Sequence, residues 1–134
     1  MAYVSQDLKA KLAPTIKTVC KKYGVKASLA VRNHSTLVLN IKSGKIDFIN
    51  NYLDTVGRTE HNLKWVGEKG NIDVNPYHYR NHFDGSAKNF LEEVIAAMSV
   101  GNHDNSDIQT DYFDVGWYID VNIGKWNKPY AVEA

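Results

Sequence analysis

From Phe113 to Ile123, apolar and polar residues alternate without a miss. Phe113, Val115, Trp117, Ile119, Val121 and Ile123 fall on one side, and Asp114, Gly116, Tyr118, Asp120 and Asn122 on the other. A period of two puts one whole set on one face of a strand. The apolar set is β-branched or aromatic, which suits a pleated, half-buried surface. The pattern predicts a long strand over 112–123, with Trp117 in the core and the earlier helices packed against it.

A second alternation predicts a β-hairpin over 27–41. Ala27, Leu29 and Val31 precede a polar turn, Arg32-Asn33-His34-Ser35, and Leu37, Leu39 and Ile41 follow it. Asn33 tolerates the positive φ that such turns need. Helical spacing appears three times. Leu8, Leu12, Ile16, Val19, Cys20 and Tyr23 form the first stripe, with Ser5 as N-cap and Gly24 as the left-handed stop. Pro14 lies inside that stripe without shifting its phase, which predicts one kinked helix rather than two. Ile46, Ile49, Leu53 and Val56 predict a second helix ending at Gly57. Ala87, Phe90, Leu91, Val94, Ile95 and Met98 predict a third, starting at Asp84-Gly85-Ser86 and stopping at Gly101. Residues 57–71, polar and carrying three glycines, read as a loop anchored by Leu63, Trp65 and Val66. A short strand is expected at Asn71–Asn75, and Trp126 and Tyr130 are expected to pack the tail. The expected class is α+β: one domain over 1–134, with about four mostly antiparallel strands packed against about three helices.

Composition changes this picture little. At 134 residues, 43% hydrophobic and 23% charged, the chain can bury a core without staples. Cys20 is alone, so no internal disulfide forms and a reducing compartment is expected. No stretch has the pattern of a leader or a membrane span, so a cytoplasmic protein without membrane contact is expected.

Charge changes the picture more. Residues 1–45 hold nine Lys/Arg against Asp7, a net of +8, while residues 46–134 hold seven bases against fourteen acids, a net of −7. Lys11, Lys17, Lys21 and Lys22 fall opposite the first helix's apolar stripe and predict a basic outer face. Asp104, Asp107, Asp111, Asp114 and Asp120 predict an exposed acidic surface around the loop 101–111 and the polar face of the long strand. These nine residues are the candidate binding residues, unless the two halves fold together and neutralise each other.

Catalytic motifs are incomplete. Gly101-Asn102-His103-Asp104 matches one block of the calcineurin-like metallophosphoesterases, but the companion metal-binding blocks do not occur. His34-Ser35-Thr36 matches half of a two-histidine phosphodiesterase pair whose second half is missing. His78 and His82 stand four apart, a spacing for zinc if helical, without the glutamate of the zinc-protease motif. The aspartates after Gly101 lack the glycine and terminal glutamate of an EF-hand. No metal or cofactor is therefore expected, and structural histidines are the simpler reading.

The hairpin Ser28–Asn40, the helix before it and the run Asp111-Tyr112-Phe113-Asp114-Val115-Gly116-Trp117-Tyr118 resemble small proteins of tailed bacteriophages and related mobile elements. They also resemble a domain attached to large polyvalent phage proteins. That family has no established activity, so no functional residue carries over. The resemblance implies a phage-encoded accessory protein in the bacterial host cytoplasm. The leading expectation is a non-enzymatic binder of a host or phage macromolecule, most readily a protein, with counter-defence as one such role. The first alternative is a small metal-dependent hydrolase or phosphoesterase using His78, His82, His103 and nearby aspartates. The second is weak, sequence-independent nucleic-acid binding through the first helix, whose lysines neutralise phosphates but lack interleaved aromatics for stacking.

Overall fold

The computed structural model describes residues 3–76, 78–100, 116–125 and 128–133. The first helix, α1 (Gln6–Tyr23), runs unbroken through Pro14. The Ser5 side chain accepts from the Leu8 amide at 3.0 Å, and Gly24 closes the other end at φ 68°. A Cβ at Gly24 would meet the Lys45 side chain at 2.9 Å as well as the left-handed backbone, so glycine suits this corner doubly. β1 (Val25–Arg32) and β2 (Thr36–Gly44) form the expected hairpin, each somewhat longer than the apolar alternation alone marks. Asn33 and His34 both take positive φ, and the Ser35 amide donates to the Arg32 carbonyl, the signature of a primed turn.

α2 (Phe48–Val56) ends at Gly57 as its spacing predicts. The expected loop that follows is instead helical: α3 (Glu60–Asn62) widens into a π-helical turn over Leu63–Glu68. The Thr59 hydroxyl accepts from the Asn62 amide and starts it. Leu63 and Trp65 do not anchor it, being 40% and 49% exposed; only Val66 packs on the core. β3 (Ile72–Val74) leads through a 3₁₀ turn (Tyr79–Asn81) to α4 (Gly85–Met98), whose predicted stripe is buried or half-buried. β4 (Tyr118–Ile123) and β5 (Ala131–Val132) complete the sheet.

The long strand is described only in part. Gly116 and Trp117 precede β4 without joining the ladder, and residues 112–115 lie outside the described residues. The predicted stop of α4, Gly101, the acidic loop and Trp126 also lie outside them. Trp117 is buried as predicted, and its indole N–H donates to the Met98 carbonyl at 3.0 Å.

The strand order is β1-β2-β4-β3, with β5 beside the end of β2. β1–β2 and β3–β4 are antiparallel, but β2–β4 and β2–β5 are parallel, so the sheet is mixed rather than mostly antiparallel. The α+β class stands, with five strands among the described residues. Register aligns Leu37, Leu39 and Ile41 with Ile119, Val121 and Ile123. That face meets Leu12, Ile16 and Cys20 of α1 and Phe90, Leu91 and Val94 of α4 in one core. Phe48 joins α2 to α4 and the tail, its ring centroid 5.6 Å from Phe90 and 5.3 Å from Tyr130. The Tyr130 hydroxyl donates to the Ile46 carbonyl at 2.7 Å, which fixes the tail against the start of α2.

Candidate binding groove

Ala13, Ile16, Lys17, Cys20 and Lys21 are spaced as one stripe along α1. That stripe faces β1, an edge strand paired only with β2 among the described residues. Ala13 and Cys20 are small, and α1 does not close down on the strand. A groove of about 710 Å³ lies between them. Ile16, Cys20, Ala27, Leu29 and Leu39 make its apolar floor, and Lys17, Lys21, Lys26 and Lys45 stand around it with a single acid, Glu133.

Glu133 is already engaged. Its carboxylate lies 3.0 Å from the Lys26 ammonium and accepts from the Ser43 hydroxyl at 3.2 Å. The Lys26 hydrogen bond, opposed by some desolvation, holds that carboxyl below its ordinary range. Lys17, Lys21 and Lys45 make no ion pair among the described residues. The groove therefore offers an apolar strip under net positive charge. Burial pushes the Cys20 thiol up, keeping it protonated and a poor nucleophile at neutral pH. The Cys20 thiol is therefore not poised as a nucleophile in this lining.

The four candidate lysines do not share one face. Lys17 and Lys21 rim the groove. Lys22 lies on the other flank, 2.8 Å from Glu93 of α4, whose carboxylate also accepts from the Tyr23 hydroxyl. The Lys22 and then the Tyr23 hydrogen bond lower the Glu93 carboxyl, and the hydrogen bond to Glu93 raises the Lys22 ammonium. Lys11 is exposed and contacts neither. Of the five ion pairs among the described residues, three join the basic first third to the acidic remainder: Lys22–Glu93, Lys26–Glu133 and Arg32–Asp120. The linear charge split is thus partly an internal one.

Asp120 is not part of an open acidic surface. It points from β4 onto the sheet face away from the helices, its side chain 17% exposed and 2.8 Å from the Arg32 guanidinium of β1. The Asn122 amide donates to Asn40 at 3.3 Å and reaches Asp120 at 3.5 Å. Asp73, facing Asn122 across β3–β4, completes the cluster. Burial first, then the Asp120 carboxylate, raises the Asp73 carboxyl, and Arg32 opposes the rise. Asp104, Asp107, Asp111 and Asp114 lie outside the described residues.

The four histidines among the described residues do not converge. His78 and His82 bracket the 3₁₀ turn rather than sharing a helix face, and the His82 ring packs on Tyr52 at 5.8 Å. His34 sits in the hairpin turn, and His61 stands beside Trp65. Among the described residues no three His, Cys, Asp or Glu side chains gather to hold a metal. His103 lies outside them. No helix among the described residues is long and apolar enough to cross a membrane.

Sequence reasoning found Lys17 and Lys21 and missed Lys26, Lys45 and Glu133. Those three meet the helix lysines only once β1, the end of β2 and the tail converge. No protein-family model, curated protein or solved structure matches the chain.

Proposed function

We propose that the chain is a phage-encoded accessory protein that acts by binding, without catalysis, an acidic host or phage protein in the groove between α1 and β1. One observation carries the reading: an apolar floor beneath four lysines, with the single acid of the rim already paired. Apolar burial supplies affinity, while unpaired lysines select an acidic partner and speed its encounter in a salt-dependent way. The phage-type hairpin and the 111–118 run supply the context of a host cytoplasm, where counter-defence is one use of such a contact.

The test is capture from bacterial lysate on immobilised protein, with and without nuclease, comparing wild type with the Lys17→Glu, Lys21→Glu double variant. Both positions are exposed helix sites, so the variant should fold. Proteins retained after nuclease treatment by wild type, and lost by the variant, support the reading. Retention that ignores the charge reversal overturns it.

A second reading is favoured by a different observation. Trp65 is exposed, with the Lys69 and Lys64 ammonium groups 4.9 and 5.8 Å from its ring centroid. An aromatic face beside lysines suits single-stranded nucleic acid. Binding of that kind would be weak and sequence-independent, on the order of 10⁻⁴–10⁻⁶ M at physiological salt. Nuclease-sensitive capture would point there.

A further inference from the structure

Ala27, Leu29 and Val31 of β1 pair across the hairpin with Ile41, Leu39 and Leu37. Directly paired residues share a face, so all six look toward the helices. The three on β2 are at most 1% exposed, while the three on β1 are only half-buried. The helix layer thins out over β1. On its other flank α1 meets α4, through Lys22–Glu93 and the edge-to-face rings of Tyr23 and Phe90. On this flank, α1 is the one helix among the described residues that lines the groove. The floor runs from Ala27 and Leu29 across to Leu39, over the sheet face and beside α1.

We infer that the groove is the seat of one more helix, supplied by the acidic partner: an amphipathic helix laid on the face of β1 beside α1, its apolar stripe down and acids along its flank. This rests on the groove being the binding site. A floor of apolar side chains leaves the downward main-chain groups of an extended occupant unpaired, whereas a helix satisfies its own. From the corner at Gly24, α1 rises roughly 16 Å to Ala13 and β1 roughly 16 Å to Leu29, so the two walls are level. About eleven residues of helix, some three turns, cover that length. Ala13 and Cys20 are small, which lets a second helix approach α1 at the usual interaxial distance, about 8–10 Å. Lys17 and Lys21 stand one turn apart along the rim, exposed and without an ion pair among the described residues. They meet acids spaced four apart on the near flank of the incoming helix. On a helix such a flank adjoins the apolar stripe, so one occupant presents both at once.

A second copy of this chain is a poor occupant. Turned groove to groove, it would set these lysines against their counterparts. A nucleic-acid strand would answer the lysines but find no aromatic side chain in the groove to stack on.

The experiment uses the whole chain and a fluorescent peptide of about fifteen residues, with Leu at helical spacing and Glu on the flanking positions, titrated by anisotropy. One companion carries proline at its centre, and another has the same composition shuffled to a period of two. Far-ultraviolet circular dichroism reports helicity, and methyl NMR follows Ala13, Ala27 and Leu29. Oligo-dT and dodecanoate are the nucleic-acid and small-amphiphile competitors. Ala13→Trp fills the groove from a half-buried helix site. The helix-patterned peptide should bind, gain helicity and shift all three sets of methyls. It should lose about tenfold affinity or more against the Lys17→Glu, Lys21→Glu variant and against Ala13→Trp, and both companions should bind wild type at least about tenfold more weakly. Companions that bind as well as the parent, without a gain in helicity but still weakened by charge reversal, overturn the helix while the groove stands. Binding that ignores charge reversal overturns both. Binding that ignores Ala13→Trp or leaves the methyls unmoved, failure of the parent peptide to bind, or its displacement by either competitor at equal concentration overturns the inference.

Discussion

β2 and β4 lie side by side, yet their two faces differ in kind. Leu37, Leu39, Ile41, Val121 and Ile123 face the helices at 0–1% exposure. The opposite face carries Asn40, Asp120 and Asn122, tied to Arg32 and to one another. The first face supplies most of the hydrophobic stabilisation. The second is better suited to setting register. β2 and β4 pair in parallel across a wide gap in sequence, and apolar side chains alone tolerate sliding by two residues. A slip of one residue would drive Asp120 into the core, and a slip of two would part Asn122 from Asn40. The contrast predicts large, pH-insensitive losses on the helix-covered face and small, pH-dependent ones on the other.

The largest effect should come at the entry to β4. Trp117→Ala removes a buried aromatic and leaves the Met98 carbonyl without its indole donor, and should cost ~3–5 kcal/mol by chemical denaturation. Leu39→Ala opens a cavity at the centre of the covered face and should cost ~2–5 kcal/mol. A loss below ~1 kcal/mol at Leu39 would mean that this face does not carry the core, and the contrast would fail.

Which parts were legible in the sequence follows from the range of each signal. The hairpin, α1, α2, α4 and the buried side of β4 rest on periodicity and caps within a few residues. The parallel register of β2 against β4 rests on residues about 80 positions apart, as Asn40 and Asn122 show, and no local pattern encodes it. The helix over 60–68 escaped because it has no apolar stripe: Leu63 and Trp65 face solvent, and the Thr59 cap was hidden among polar neighbours. The candidate site was half legible. Lys17 and Lys21 are spaced one helical turn apart, whereas Lys26, Lys45 and Glu133 reach the groove from three separate segments.

On the polar face, Arg32→Ala should cost only about 1 kcal/mol at neutral pH, because the guanidinium is more than half exposed while its partner is not. The loss should be read with Asp120→Asn in a double-mutant cycle. Near-additive losses would show that the pair does not mark register.

The smallest effect at neutral pH, and the sharpest test of the contrast, lies at Asp73. Its carboxyl is held above the ordinary range by burial and by the Asp120 carboxylate. Native protein therefore holds that proton more tightly than unfolded chain does. Between the ordinary value, about 3.9, and the raised one, the native state carries more protons, so stability contributed by this group falls as pH rises. Glu93 and Glu133 are shifted the other way, and their contribution is lost as pH falls through their lowered values. Wild type should thus show an acid-side rise from those two and, above it, a decline from Asp73. Asp73→Asn keeps a neutral side chain at every pH. It should match wild type at low pH, remove the decline and leave the acid-side rise in place, as read from thermal midpoints across a pH series. Arg32→Ala should deepen the decline, since Arg32 is the charge that opposes it. Leu39→Ala should lower the whole curve without changing its shape. A pH profile of Asp73→Asn that runs parallel to wild type would show that the two carboxyls do not share a field, and that the polar face is merely solvated.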